Sequence, residues 1–484
     1  MVHIAMDLTN LSELRGCIGL ALKSRALVCL LQLASNFVVP DHHADAYRNK
    51  YYQVMNEDSL GRLLSGLTRW DGQYFTEIAK DGYVSEQHLA FFPLYPIAMQ
   101  TFGRLLMLES TNTFEMLPRS NLSATSEVND RDYKQYLMTA SMGVILNNVI
   151  FFPIATVSLF LLTKLVVRKD RAYGLDVIWW FCFNPASIFF SACYTESLFT
   201  SLTFTAMLLI EYQSQKYYKD SEVHRKGQSK ASAGEPFNRF SANQLLAIYL
   251  PCLGLMALST ATRSNGLVTI WFLIYQFLLK YRYLPEALNR AGWSIWTYLY
   301  TSLAILHDAA VLVMASTIAA SGYITFQIYS FIKFCSATTG NFSRPSWCDG
   351  LIPHPYGHVQ AKYWNVGLFK YYQLKQLPNF LLASPIIYLV LAGSLAKTKQ
   401  AALGANWAKQ FPYYIHSVVV TLLCTMAINI QVTTRLLASS SPVVYWICAD
   451  TTKDSRCKRN LIQAYFLTYF CFGTILFCNF YPWT

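Results

Sequence analysis

Apolar stretches recur along the whole of this chain. Ile145–Phe160, Ile178–Cys193, Leu245–Leu258, Val268–Leu279 and Leu303–Ala320 are each long and nearly free of charge. With their less apolar flanks, most approach the ~20 residues that a helix needs to cross the hydrocarbon core of a bilayer. Of 484 residues, 54% are hydrophobic and only 14% are charged, whereas a soluble domain carries about 25% charged residues. The expected fold class is therefore an all-α polytopic membrane protein, not the two or three soluble domains that this length could hold.

Charge orients such a chain, because cytosolic loops carry an excess of Lys and Arg. The apolar stretch Ala26–Val39 follows Arg15, Lys23 and Arg25, with no small-residue cleavage site after it. It reads as a first anchor with a cytosolic N-terminus rather than a removable signal. Residues 41–134 then lie on the far side, with thirteen Asp/Glu against nine Lys/Arg. The apolar pattern predicts further spans over Tyr136–Leu162, Gly174–Cys193, Glu196–Ile210, Gln244–Ala261, Gly266–Leu279 and Trp296–Ala320. Four more follow at Leu377–Ala396, Tyr413–Ile430, Leu436–Cys448 and Ile462–Phe480. In this scheme of about 11 transmembrane helices, every returning turn is basic. The turns are Lys164–Arg171, the Lys- and Ser-rich stretch 213–243, Lys280–Arg290, the pair Lys397 and Lys399, and Lys453–Arg459. The net charge of +12 thus belongs to membrane orientation and not to a nucleic-acid surface.

Residues 1–484 read as a single integral membrane domain. It has a first far-side loop over 41–135, a flexible cytosolic loop over 213–243 and a second large far-side loop over 336–375. Leu89–Leu108 is apolar but broken by Pro93 and Pro96, and counting it as a span would invert every later loop. It is expected to be re-entrant or interfacial. Most of the 12 Cys stand singly in apolar runs as small hydrophobes. Cys335 and Cys348, in a polar loop, are placed to form a local bridge. Asn121-Leu-Ser and Asn341-Phe-Ser are sequons on expected far-side loops.

The first far-side loop carries the chemistry. Between Ser59 and Val84, Leu60, Leu63, Leu64, Leu67, Tyr74, Phe75 and Ile78 recur at helical spacing, which suits an amphipathic helix on the membrane surface. Asp71 falls on the apolar side of that pattern, beside Trp70. A carboxylate there breaks the local rule, as functional residues do. The alternative is a capping box, Thr68-Arg-Trp-Asp71, opening a second helix. Asp130-Arg-Asp132 has a metal-bridging spacing, but its very polar setting speaks for solvated side chains, and no metal or other cofactor is expected. Asp41-His-His-Ala-Asp45 reads as a solvated loop. His354 and His358 are separated by Pro355 and Gly357, against a helical metal pair. His307 beside Asp308, inside an expected span, is either a cavity-lining pair or a packing feature.

Arg69-Trp-Asp-Gly-Gln-Tyr-Phe75, followed by Phe91-Phe-Pro-Leu-Tyr-Pro96, resembles the first luminal loop of the PIG-V family of mannosyltransferases. Further matches are Phe183-Asn-Pro-Ala-Ser187, Tyr194-Thr-Glu-Ser197, Thr262-Arg-Ser-Asn-Gly266, Arg344-Pro-Ser-Trp-Cys348, Tyr363-Trp-Asn-Val-Gly367 and Tyr371-Tyr-Gln-Leu-Lys-Gln376. The last third adds Gln431-Val-Thr-Thr-Arg435, Ser440-Ser-Pro442, Tyr445-Trp446 and Asn479-Phe-Tyr-Pro-Trp-Thr484. The resemblance implies a GT-C fold in the endoplasmic reticulum membrane with its site on the luminal face. It implies dolichyl-phosphate mannose as donor and, as acceptor, a mannosyl-glucosaminyl-phosphatidylinositol lipid receiving its second mannose by an inverting α1,6 transfer. An accessory membrane subunit is compatible with it.

Single displacement needs a base near a weakly nucleophilic hydroxyl, and the resemblance makes Asp71 that base, with Arg69 and Trp70 as binding candidates from the same motif. A phosphate leaving group needs cations or donors. Arg263 and Arg435, near expected luminal helix ends, suit that role or that of snorkelling anchors. Glu196 suits sugar binding or a helix-dipole role, and His88 a phosphate contact or a solvated loop. A polytopic lipid transporter or flippase is the rival reading, although no internal repeat of helices supports it. A non-catalytic glycosylation subunit is another, against which the retained Asp71 motif speaks.

Overall fold

The computed structural model describes residues 9–110, 128–167, 170–227, 242–281, 284, 294–336, 345–350, 353–401 and 407–482. Both sequons and the centre of the 213–243 loop lie outside them. Helices dominate, and no strand occurs among the described residues. The first half comprises α1 (Leu11–Val38), α2 (Tyr52–Glu57), α3 (Ser59–Ser65), α4 (Gly72–Asp81), α5 (Leu94–Ser110), α6 (Asp130–Ile145), α7 (Phe152–Val166), α8 (Arg171–Cys182) and α9 (Glu196–Gly227). The second comprises α10 (Ala242–Thr260), α11 (Ile270–Lys280), α12 (Ile295–Cys335), α13 (Pro355–Trp364), α14 (Leu377–Ala401), α15 (Trp407–Met426), α16 (Thr433–Ser440), α17 (Val443–Asp454) and α18 (Arg456–Cys478).

Among the described residues, five helical runs are long and apolar enough to cross a membrane: Leu11–Val38, Asp130–Val166, Ile295–Cys335, Leu374–Lys399 and Arg456–Cys478. The architecture is all-helical and multi-pass. A π-helical turn, Leu146–Phe151, joins α6 to α7 into one of these runs. The outward face of α12 exposes Trp296, Leu299, Leu303, Leu306, Val313 and Ile328, a surface suited to lipid. Its inward face meets α10 at Gly322, where a Cβ would collide with Ala257 O and Ala261 N. The core gathers α7, α8, α9 and α17 around Phe152, Phe181, Phe190, Phe204 and Tyr445.

Local chemistry moves several expected boundaries. The run expected as a span over Gly174–Cys193 is helical only to Cys182. Asn184-Pro185 disfavours further helix, and residues 183–195 cross the interior as a turn-rich segment with one short 3-10 piece. The span expected over Leu436–Cys448 is likewise divided at Ser441-Pro442 into α16 and α17. In the other direction, α9 continues to Gly227, so the first half of the expected 213–243 loop is helical. Lys, Glu and Gln in that stretch favour helix without needing apolar burial. Arg25, expected to flank the first anchor, lies about four turns inside α1 and is 1% exposed.

The largest difference concerns Ser59–Val84. Of the two expectations here, a single surface helix or a second helix opening at Thr68–Asp71, the chain follows the second, forming α3 and α4 with a break between them. Trp70 sits at φ 57°, a left-handed conformation that ends helical propagation. The second of these helices has no wet face: all residues from Gly72 to Ala79 are buried. Two aromatic layers explain this, with Tyr47 and Phe91 stacked on Tyr74 and Tyr95 and Tyr194 against Phe75. Cys335 and Cys348 are joined by a disulfide.

Candidate active site

The turn before α4 is built to present one carboxylate. Trp70 anchors it: Nε1 donates to Phe477 O at 3.2 Å, and the indole packs on Phe480. Asp71 occupies the N-cap position of α4, where an Asp side chain ordinarily accepts a first-turn amide. Here it caps nothing. The amides of Gln73, Tyr74 and Phe75 are taken by the carbonyls of Trp70 and Asp71. A helix does begin at this motif, as the capping-box reading held, yet its carboxylate is free for other work.

That work is with Arg435, on α16. Arg435 Nη1 and Nη2 donate to Asp71 Oδ2 at 3.3 and 3.4 Å. Arg435 Nε stands 3.2 Å from Glu196 Oε1, and the same oxygen accepts from Arg263 Nη1. Arg263 Nη1 also donates to Thr195 Oγ1 at 3.3 Å. Asp71, Arg435, Glu196 and Arg263 thus form a continuous chain of alternating charge. Their side-chain exposures decide their parts: 29% for Asp71, 16% for Arg435, 11% for Arg263 and 0% for Glu196. Asp71 is the open end. Glu196 is the internal counter-ion, and its Oε2 is buried without a hydrogen-bond partner.

The rest of the frame comes from 183–195. Tyr194 OH accepts the Asp71 backbone N–H at 2.9 Å. The Arg435 guanidinium lies over the rings of Phe189 and Tyr194, 5.0 and 5.4 Å from their centroids. Cys193 N donates to Leu67 O at 2.8 Å, tying this segment to the Asp71 turn. Asn265 Nδ2 donates to Ser440 Oγ at 2.9 Å, linking the Arg263 turn to the end of α16. Tyr194 and Phe189 had no sequence-derived role. The one available signal was that Tyr194 shares the Tyr194-Thr-Glu-Ser197 motif with Glu196.

Two candidates stand apart from this chain of charges. Arg69 is 2% exposed and paired with Asp41 Oδ2 at 3.0 Å, its guanidinium held between the Phe480 and Tyr52 rings. It braces the turn. His88 is neither solvated nor open to a phosphate, because both ring nitrogens are occupied. Nε2 lies 3.1 Å from Glu77 Oε2 and Nδ1 2.6 Å from Ser85 Oγ. Burial pushes the Glu77 carboxyl up, but hydrogen bonds from His88 and Tyr47 outweigh that and hold it below the usual carboxylate range.

Several of the other polar candidates are held in ion pairs or hydrogen bonds elsewhere. Asp132 pairs with Lys80 at 3.0 Å and Asp130 with Lys134 at 3.3 Å. Asp308 binds Lys280 and Tyr281, and the largely exposed His307 lies beside it with Nδ1 3.6 Å from Oδ1. His354 Nε2 meets Tyr323 OH at 2.6 Å, and His358 faces Glu86. Among the described residues, no group of three or more His, Cys, Asp and Glu side chains is arranged as a metal-binding set.

Comparison with known proteins agrees in extent with the motifs. The family described as Mannosyltransferase (PIG-V) matches residues 14–484. GPI mannosyltransferase 2 of Drosophila pseudoobscura pseudoobscura is 31% identical, covering 96% of this chain and 98% of that protein. Its Drosophila melanogaster counterpart is 30% identical over the same shares, 96% and 98%. GPI alpha-1,6-mannosyltransferase 2 of Mus musculus is 30% identical, covering 96% of this chain and 97% of its own.

Proposed function

The chain belongs to the PIG-V mannosyltransferase family, and from that premise we propose that it adds the second mannose to a GPI-anchor precursor in α1,6 linkage. The proposed donor is dolichyl-phosphate mannose, and the acceptor is the lipid already carrying one mannose on glucosaminyl-phosphatidylinositol. The observation that carries this reading is the pair formed by Asp71 and Arg435. It places a partly open carboxylate, uncommitted to its helix, beside a guanidinium with a second acid behind it.

Those groups match the demands of the reaction. The acceptor hydroxyl oxygen attacks the anomeric carbon, and the bond to the donor phosphate oxygen breaks with its electron pair. The hydroxyl proton passes to Asp71. Arg435 meets the negative charge that grows on the departing phosphate. Glu196 and Arg263 hold Arg435 in place from behind. Arg69 and Trp70 brace the turn that carries the base.

Orientation follows from charge. With every returning turn basic, the 11-span scheme puts the N-terminus in the cytosol and residues 41–135 and 336–375 in the lumen of the endoplasmic reticulum.

The test uses microsomes lacking the endogenous second mannosyltransferase, supplied with labelled dolichyl-phosphate mannose. Wild type should convert the one-mannose lipid to the two-mannose lipid. Asp71→Asn should accumulate normally and form none. Normal product from Asp71→Asn would remove it as the base, and no product from wild type would remove the assignment.

A further inference from the structure

Arg25 is a cation in the middle of a spanning helix, and none of its hydrogen bonds goes to a carboxylate. A charge at that depth is expensive and persists where it has work to do. Its donors are spent on one target. Nη1 donates to Ser187 O at 2.8 Å and Ser191 Oγ at 3.0 Å, and Nη2 donates to Cys182 O at 3.0 Å and to Ser187 Oγ. The guanidinium lies over the Phe152 ring, 4.0 Å from its centroid. Only Nε turns elsewhere, to the adjacent Ser24 Oγ at 3.3 Å.

The target is the end of α8 at Cys182 and the turn-rich segment 183–195 that follows it. Irregular backbone inside a membrane protein must have its polar groups satisfied by the protein itself. Arg25 does this for the carbonyls of Cys182 and Ser187. The second half is held from the π-helical turn: Asn147 Nδ2 donates to Ala192 O at 2.6 Å and Tyr194 O at 2.9 Å, and Asn148 Nδ2 to Ser191 O at 2.9 Å. Beyond these anchors the segment delivers Tyr194 to the Asp71 amide and Glu196 to Arg435.

We propose that Arg25 is a positioning residue for transfer: its forked guanidinium, clamped on Cys182, Ser187 and Ser191, sets the 183–195 segment that aligns Asp71 and Arg435. The inference rests on the mannosyl-transfer reading for its kinetic part alone. A guanidinium can hold two carbonyls and two hydroxyls in fixed directions, which a lysine ammonium on a flexible stem cannot reproduce. Charge is therefore not the operative property, and Lys should not rescue.

The experiment compares wild type, Arg25→Lys and Asp71→Asn, full length in membranes, by two readouts. In mannosyl transfer, Arg25→Lys should lower kcat about 10- to 100-fold, the scale of a misplacement of about 1 Å. KM for donor and acceptor should stay within about twofold. Independently of activity, maleimide labelling resolved by peptide should find Cys193, buried in wild type and in Asp71→Asn, exposed in Arg25→Lys. Cys424, equally buried on α15, should stay protected. If wild type forms no product the transfer reading falls, and labelling alone decides the positioning role. Wild-type kcat and a protected Cys193 in Arg25→Lys would overturn the proposal, as would Cys193 and Cys424 opening together. Should Arg25→Lys fail to accumulate, Ser191→Ala removes one partner of the clamp and is judged by the same outcomes.

Discussion

On the proposed mechanism, removing the Arg435 side chain carries two costs, one in the reaction and one in the fold. In Arg435→Ala, Glu196 keeps Arg263 as counter-ion, and Asp71, with its side chain 29% exposed, reaches water. What the fold loses is the pair with Asp71, worth about 0–1 kcal/mol at that exposure, the contacts over Phe189 and Tyr194, about 0.5–1 kcal/mol each, and the ion pair of Nε with the buried Glu196, whose loss costs up to about 3–5 kcal/mol less what Arg263 retains. The stability loss should therefore lie between about 2 and about 5 kcal/mol, read as a lowered melting temperature in detergent. The transition state loses a pre-placed cation at the leaving phosphate, about 2.7–4 kcal/mol or a 10²- to 10³-fold fall in kcat. Initial rates in microsomes, with donor and acceptor varied separately, should show donor use impaired more than acceptor use. Equal impairment of both, or a kcat within about tenfold of wild type, would refute the phosphate role and leave Arg435 a structural link.

Two further outcomes follow from particular contacts. Gly322→Ala should lower the melting temperature through a cost of about 1–3 kcal/mol for overpacking, because the added methyl meets backbone of α10 that has no flexible end to yield; an unchanged melting temperature would show that α10 and α12 part freely. The Glu77 carboxyl is held below its ordinary value of 4.5, so its contribution to stability is complete above that value and fades as pH falls through the lower folded one. Thermal stability should drop on acidification below about pH 4.5, and the drop should be smaller in Glu77→Gln. An equal drop in both would place the acid sensitivity elsewhere.

Much of the site was legible in sequence as separate pieces. Asp71 stood out because a carboxylate interrupts an apolar helical pattern, and Arg263, Arg435 and Glu196 stood out as charges at the ends of apolar runs. Their assembly was not legible, since Arg435 and Asp71 are 364 residues apart. His88 and Arg69 show the converse. Each lies in or next to a telling motif, yet each is committed to an internal partner, Glu77 and Asp41, that no local pattern identifies. Arg25 was taken as a flanking charge because positive-inside reasoning counts positions along the chain. The partners that allow it inside a helix bundle come from a segment more than 150 residues later.

The amino-acid sequence by itself determined the solvent, the helical class and the family. Burial of uncharged runs in lipid, the distribution of Lys and Arg, and the motif order depend on composition and spacing alone. Tertiary structure decided where the chain stops being regular and what each charge is for. Trp70 takes a left-handed conformation, and 183–195 leaves the helix, where distant groups, Tyr194 OH for the Asp71 amide and Asn147 for the Ala192 carbonyl, pair backbone that the local sequence leaves unpaired. The role of a buried charge is likewise a property of its neighbours, since burial without a partner is too costly for it to stand alone.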